Sequence, residues 1–214
     1  MNWRRRFSLV TALWLLWLCA MPTVSPATYD GSAKFDDVSP DSQFNEAIGW
    51  AVERNITDGT GPKTFNPNGN CTVQAILKFL WAYHGRPNCP GDIYVDVTET
   101  FRDAANWANL KGYETGQQAG DGRHLNGGEF CTRLRVVRYL WLIAGRPDGH
   151  RNEAEQFSDL GHDPDFPDED AVGWAVANGI TKGATATTFS PERPCTRGQI
   201  ATFLYRYETN VNHG

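Results

Sequence analysis

The sequence predicts a mostly α protein made of three helix-loop-helix units. Three observations carry that reading. One phrase is written three times: TFNPNGNCTVQAI at 64–76, TFSPERPCTRGQI at 188–200 and an altered RHLNGGEFCTRLRV at 123–136. A tryptophan precedes each phrase at a near-constant distance. Trp50 and Trp174 lie 21 residues before Cys71 and Cys195, and Trp107 lies 24 before Cys131. Apolar residues then recur at helical spacing on both sides of each phrase.

The first helix of each unit surrounds its tryptophan. Phe44, Ala47, Ile48, Ala51 and Val52 fall on one stripe; Phe101, Ala104, Ala105 and Ala108 repeat it, as do Ala171, Val172, Ala175 and Val176. Gly, Asn and Thr stop the helix, as in NGIT at 178–181. At 100° per residue Trp50, Trp107 and Trp174 sit off that stripe. They either pack on their own second helix or line a groove between copies. The small residues Ala47, Ala105 and Val172 at matching positions predict that the three first helices meet around a common axis.

The Phe-x-Pro segment reads as an extended connection. The second helix starts at the Thr after each Cys, with Thr196 and Gln199 forming a capping box and Thr72 and Thr132 keeping half of one. These helices are strongly apolar (ILKFLWAY, VVRYLWLIA, IATFLYRY), and two end in Gly-Arg-Pro. One such unit is too small to bury both helices, but three can share a core. The organisation read from the chain is a signal peptide over 1–27, a short linker over 28–34, repeats over 35–87, 94–147 and 157–207, and a tail over 208–214. The signal reading rests on Arg4, Arg5 and Arg6, the apolar run that follows, and small residues ending at Ala27. It implies export, with no stable membrane insertion after cleavage.

The chain has 214 residues and a formal charge of −5, which becomes −8 without Arg4, Arg5 and Arg6. That balance argues against nucleic acid as a partner. No spacing among Cys71, Cys89, Cys131 and Cys195 resembles a zinc site, and three of the four share one slot. They read as small buried hydrophobes, with export leaving a disulfide open. No metal or other cofactor is expected. G-x-S-x-G, H-E-x-x-H and P-loop motifs are absent, so the chain is read as non-catalytic. The acidic HDPDFPDED at 162–170 lacks EF-hand spacing and reads as a solvated loop.

Aromatic-x-Asp phrases (FDDV, YVDV and FSDL, from 35, 94 and 157), then Trp-Ala, Gly, Phe-x-Pro and a Thr-Arg helix start make up a pattern that resembles the S-layer homology domain. Three in tandem, over residues 35 to 207, is that family's usual set. The resemblance implies a pseudo-threefold spindle around a central three-helix core, and binding of anionic, often pyruvylated, secondary cell-wall polysaccharide in grooves between repeats. Such a protein sits at the cell wall or cell surface. The family's helix-start Arg maps onto Arg133 and Arg197, beside Thr132 and Thr196. Copy one has Val73 there, so its groove lacks the cation. Copy two lacks the Phe-x-Pro. An Arg in the first turn would stand beside free backbone N–H groups as an anion receptor. Trp50, Trp107 and Trp174 would stack on sugars. Asp37, Asp96 and Asp159 would either accept sugar hydroxyls or cap the loop into the first helix. The alternative function is a structural or protein-interaction module of the same fold, with an unidentified protein partner.

Overall fold

The computed structural model describes residues 28–161 and 168–212. The leader at 1–27 and most of the acidic 162–170 loop lie outside the described residues. Six α-helices carry the fold: α1 (Asn45–Glu53), α2 (Val73–Tyr83), α3 (Glu99–Leu110), α4 (Arg133–Ile143), α5 (Asp168–Ala177) and α6 (Arg197–Tyr207). Among the described residues a single hairpin, β1 (Gln117–Ala119) with β2 (Gly122–His124), is antiparallel with Gln118 opposite Arg123. It absorbs the longer Trp-to-Cys step of copy two.

The three second helices each begin directly after the predicted Thr. Only Thr196 has the full capping box, with its hydroxyl accepting from the Gln199 N–H and its own N–H donating to Gln199 Oε1. Thr132 accepts from the Arg135 N–H, and Thr72 makes no side-chain cap. Ahead of these helices the chain closes a ring. The Cys71 N–H donates to Cys195 O at 2.9 Å, the Cys195 N–H to Cys131 O at 2.9 Å, and the Cys131 N–H to Cys71 O at 2.8 Å. The next positions extend it: the first N–H of α6 reaches Gly69 O, that of α4 Arg193 O, and that of α2 Glu129 O, each at 2.9 Å.

The first helices do not meet at the centre, contrary to the expectation from Ala47, Ala105 and Val172. Each packs instead on a second helix of another copy: α1 on α6, α3 on α2, α5 on α4. The middle is already taken, because the second helices are tied through their N-termini to one ring. The small residues serve close packing there; Ala47, Ala105 and Val172 are all buried. At the opposite end of the second helices, about 16 Å away for eleven residues, aromatic rings cluster. Trp50 lies 5.5 Å from Tyr205 and 6.2 Å from Tyr83, and Tyr83 and Trp174 each lie within 6.2 Å of Tyr207.

The segments read as linker and tail are packed elements. The Gly31 N–H bonds Asn45 O, and the 208–212 stretch is a π-helical turn whose buried Glu208 accepts from the Tyr83 hydroxyl at 2.5 Å. The polar connector before copy three likewise forms a 3-10 turn, Arg151–Ala154, against α5. The residue before each tryptophan explains how. A Cβ on Gly49 would run into the Asp30 backbone, and one on Gly173 into His150 O. Copy two has Asn106 there, 1% exposed, whose Nδ2 donates to Cys89 O and Gly91 O at 2.9 Å. Backbone contact in two copies is replaced by a side-chain bond in the third.

Gly173→Ala should lower the melting temperature despite alanine's better helix propensity. The propensity gain is about 1 kcal/mol, whereas overpacking against a carbonyl costs about 1–3 kcal/mol. The four cysteines among the described residues are free and buried, and burial pushes the Cys71 thiol up to about 11, Cys195 to about 12 and Cys131 higher still. Cys71, Cys131 and Cys195 should therefore resist alkylation in the native protein and react after denaturation, as read by intact-mass spectrometry.

Candidate functional site

Each copy carries the same clamp on its loop. Asp37 accepts from the N–H groups of Phe65 and Asn66 at 2.8 and 2.7 Å. Asp96 does so from Leu125 and Asn126 at 2.8 and 2.7 Å, and Asp159 from Phe189 and Ser190 at 2.7 Å each. The second residue of each pair has positive φ: 58° at Asn66, 54° at Asn126, 58° at Ser190. The three aspartates thus hold a left-handed turn through both carboxylate oxygens. Copy two keeps this turn with Leu-Asn-Gly in place of Phe-x-Pro. Of the two roles open to the aspartates, their oxygens are engaged by backbone of the loop before the second helix, not by the approach to the first.

The tryptophans are core residues. Trp50, Trp107 and Trp174 are 1%, 3% and 3% exposed, so no ring face is open to a sugar. Trp107 packs at 5.1 Å from His84 and 5.4 Å from Tyr113. The helical wheel missed this because it assumes one buried face, whereas α1 and α5 are enclosed by helices and by connector backbone on several sides.

The helix starts also differ from the expected free anion receptor. The first two N–H groups of each second helix are taken by a neighbouring copy's loop: Arg197 and Gly198 by Gly69 O and Pro67 O, Arg133 and Leu134 by Arg193 O and Pro191 O. Threonine caps serve the third in α4 and α6. Any anion must be held by side chains.

The arginines cross into a neighbouring copy. Arg197 donates through Nε to Phe65 O at 2.8 Å, and its guanidinium rests 4.7 Å from the Phe65 ring and 5.2 Å from that of Phe79. Arg133 donates to Phe189 O at 2.9 Å and Thr181 Oγ1 at 3.3 Å, between the rings of Phe189 and Phe203 at 5.0 and 5.6 Å. Copy one's groove therefore does hold a cation, supplied by copy three. The groove facing the buried Val73 is that of copy two. There a guanidinium still sits 6.0 Å from the equivalent ring, Tyr139, but it belongs to Arg135 on the same helix. Sequence reasoning missed Arg135, whose signal was an arginine at the N3 position where copy three has Gln199.

Burial pulls the Arg133 and Arg197 guanidinium pKa values below their ordinary value, and neither has a carboxylate within ion-pair distance among the described residues. They differ in access. Arg133 is 5% exposed, with its donors directed at protein oxygens. Arg197 is half-buried on the wall of a pocket of about 220 Å³ that Lys78, Phe79, Arg86 and Phe101 also line. The one acid of that pocket, Asp58, pairs at 3.6 Å with Lys34.

Fold and site together describe a helical repeat protein whose grooves carry cations on aromatic rings. The sequence profile of the S-layer homology domain matches residues 34–72 and 156–201. These stretches run through the Asp37 clamp to the ring in copy one, and from the Asp159 clamp into α6 in copy three. No curated protein matches the chain. S-layer homology domains are in general non-catalytic modules that anchor proteins at the cell wall or surface. Among the described residues no helix is long and apolar enough to cross a membrane, and no cluster suited to a metal ion is present.

The clamp has a pH signature. Burial acts to raise the Asp159 pKa, but the N–H groups of Phe189 and Ser190 outweigh it and hold the carboxyl below its ordinary value. Its contribution to stability is present above the unfolded pKa near 3.9 and is lost as pH falls through the lower folded value. Asp159→Asn should flatten the acid limb of the stability profile and, with only one amide oxygen to accept both N–H groups, lower stability near neutral pH. Denaturant melts over a pH series measure both.

Proposed function

We propose that the protein is a secreted, non-catalytic anchor built of three S-layer homology repeats in a pseudo-threefold spindle, holding anionic secondary cell-wall polysaccharide. The observation that carries the reading is Arg197: a half-buried guanidinium with no carboxylate partner among the described residues, facing a pocket with two more cations. Leaving a desolvated charge uncompensated is costly, and a ligand carboxylate, such as that of a pyruvate ketal, supplies the missing charge. The similarity of two stretches to S-layer homology domains supports the wall as the partner. The Cys ring and the repeated clamp support a third repeat between them. The leader sequence supports export.

Arg197→Ala should weaken binding to purified acidic wall polymer by roughly 10- to 150-fold, equivalent to about 1.5–3 kcal/mol for a lost charged hydrogen-bonded contact. Arg197→Lys should recover little, because an ammonium cannot span two oxygens. Arg133→Ala should mainly lower the melting temperature. Cosedimentation with wall preparations, alongside thermal melts, separates the two. Wild-type affinity in Arg197→Ala would discard the glycan reading in favour of a protein-interaction module.

A further inference from the structure

Thr57, Glu114 and Thr181 each stand seven residues after the tryptophan of their copy, and each faces the guanidinium of its groove. In copy three the Thr181 hydroxyl accepts from Arg133 Nη2 at 3.3 Å. In copy one Thr57 lies on the wall of the pocket that Arg197 lines. In copy two Arg135 Nη2 donates to Glu114 Oε2 at 2.5 Å. Three departures from the other copies interlock there. Val73 brings no arginine from the neighbouring helix start, and Arg135 fills the place from within the copy. Tyr139 stands where the other copies have Phe79 and Phe203; its hydroxyl accepts from Arg135 Nε at 2.9 Å and donates to Glu114 Oε2 at 2.5 Å. Glu114 replaces threonine, and its Oε1 accepts from the N–H groups of Thr115 and Gly116 at 3.1 Å each.

This arrangement has the chemistry of an anion site with its anion in place. The side chains of Arg135 and Glu114 are 29% and 14% exposed, so the pair is largely desolvated. Burial acts to raise the Glu114 pKa, but the Tyr139 hydroxyl and Arg135 outweigh it and hold the carboxyl below its ordinary value. Glu114 is therefore ionised at neutral pH. A carboxylate across a guanidinium that rests on an aromatic ring is the partner that Arg197 lacks among the described residues. Space does not close the copy two groove, which encloses about 800 Å³ against about 220 Å³ for the pocket of Arg197. Charge does: the Arg135 fork is already engaged, and a second carboxylate would meet the like charge of Glu114.

We propose that the copy two groove is self-occupied: the Glu114 carboxylate takes the place of an external carboxylate on Arg135 and closes this groove to anions. The inference rests on the anion-binding reading of Arg197 for what is blocked, but not for the Glu114 contact itself. The probe is pyruvate alone. The Nε–H signals of Arg135 and Arg197 in the full chain are followed by nitrogen-15 NMR as sodium pyruvate replaces sodium chloride at constant ionic strength. In the wild type Arg135 should not respond. Glu114→Thr, which gives copy two the residue of the other copies, should let pyruvate shift the Arg135 signal. The apparent affinity there should rise at least roughly tenfold, the scale of one charged hydrogen-bonded contact. Glu114→Gln removes the charge but keeps an acceptor for Tyr139, and should open Arg135 in the same direction even where the threonine variant does not fold; thermal melts verify both. Equal response of Arg135 in wild type and variants, or no response in a folded variant, overturns self-occupation. Arg197 is read in the same spectra. An Arg197 signal indifferent to pyruvate, with Arg135 opened by Glu114→Thr, removes the anionic reading of copy one and leaves the role of Glu114 standing.

Discussion

Three backbone hydrogen bonds between Cys71, Cys195 and Cys131 hold the molecule's architecture. Every helix start leaves N–H groups without an internal partner. In this protein the first two of each second helix are served by carbonyls from another copy's loop, directly after the ring. No copy can complete its own helix start, so the units must fold around each other. The thiols lie beside these peptide bonds. A bulkier side chain would push the strands apart, and a charged one would be buried without a partner.

The ring also decides which side chains meet. A residue at the first position of a second helix is delivered into the groove of the copy whose loop caps it. Arg197 therefore lies on Phe65 and Phe79, more than a hundred residues away in the chain but beside the loop that receives its N–H. Aromatic faces compensate part of the desolvation of a guanidinium, and a carbonyl takes its Nε. The same geometry gives Val73 to copy two's groove, and there Arg135 and Glu114 fill the space as an internal pair. One scaffold thereby carries a cation-rich groove and a charge-paired one.

Much of this was legible in the chain. The repeated phrase located all six helices and started the second helices at Thr72, Thr132 and Thr196. The slot shared by Cys71, Cys131 and Cys195 marked the ring residues as buried. The Asp37, Asp96 and Asp159 phrases marked positions of repeated importance, although not their partners 28 to 31 residues on. The altered phrase of copy two lacks the Phe-x-Pro. Its turn survives because the Asp96 clamp needs two backbone N–H groups and a residue tolerant of positive φ, and Asn126 meets that need without proline.

What the sequence determined by itself is local and periodic: helices, caps, turns and the threefold repetition of their order, all set by interactions within a few residues. Partner choice was decided only in three dimensions. Periodicity shows that a face is apolar, but not whether the neighbour is the helix's own companion or another copy's. Hence α1, α3 and α5 pack on α6, α2 and α4 rather than on each other, and the tryptophans become core. The assignment of Arg197 and Arg133 to grooves of other copies follows from the same ring, whose hydrogen bonds join residues 60 to 124 positions apart and leave no trace in local sequence.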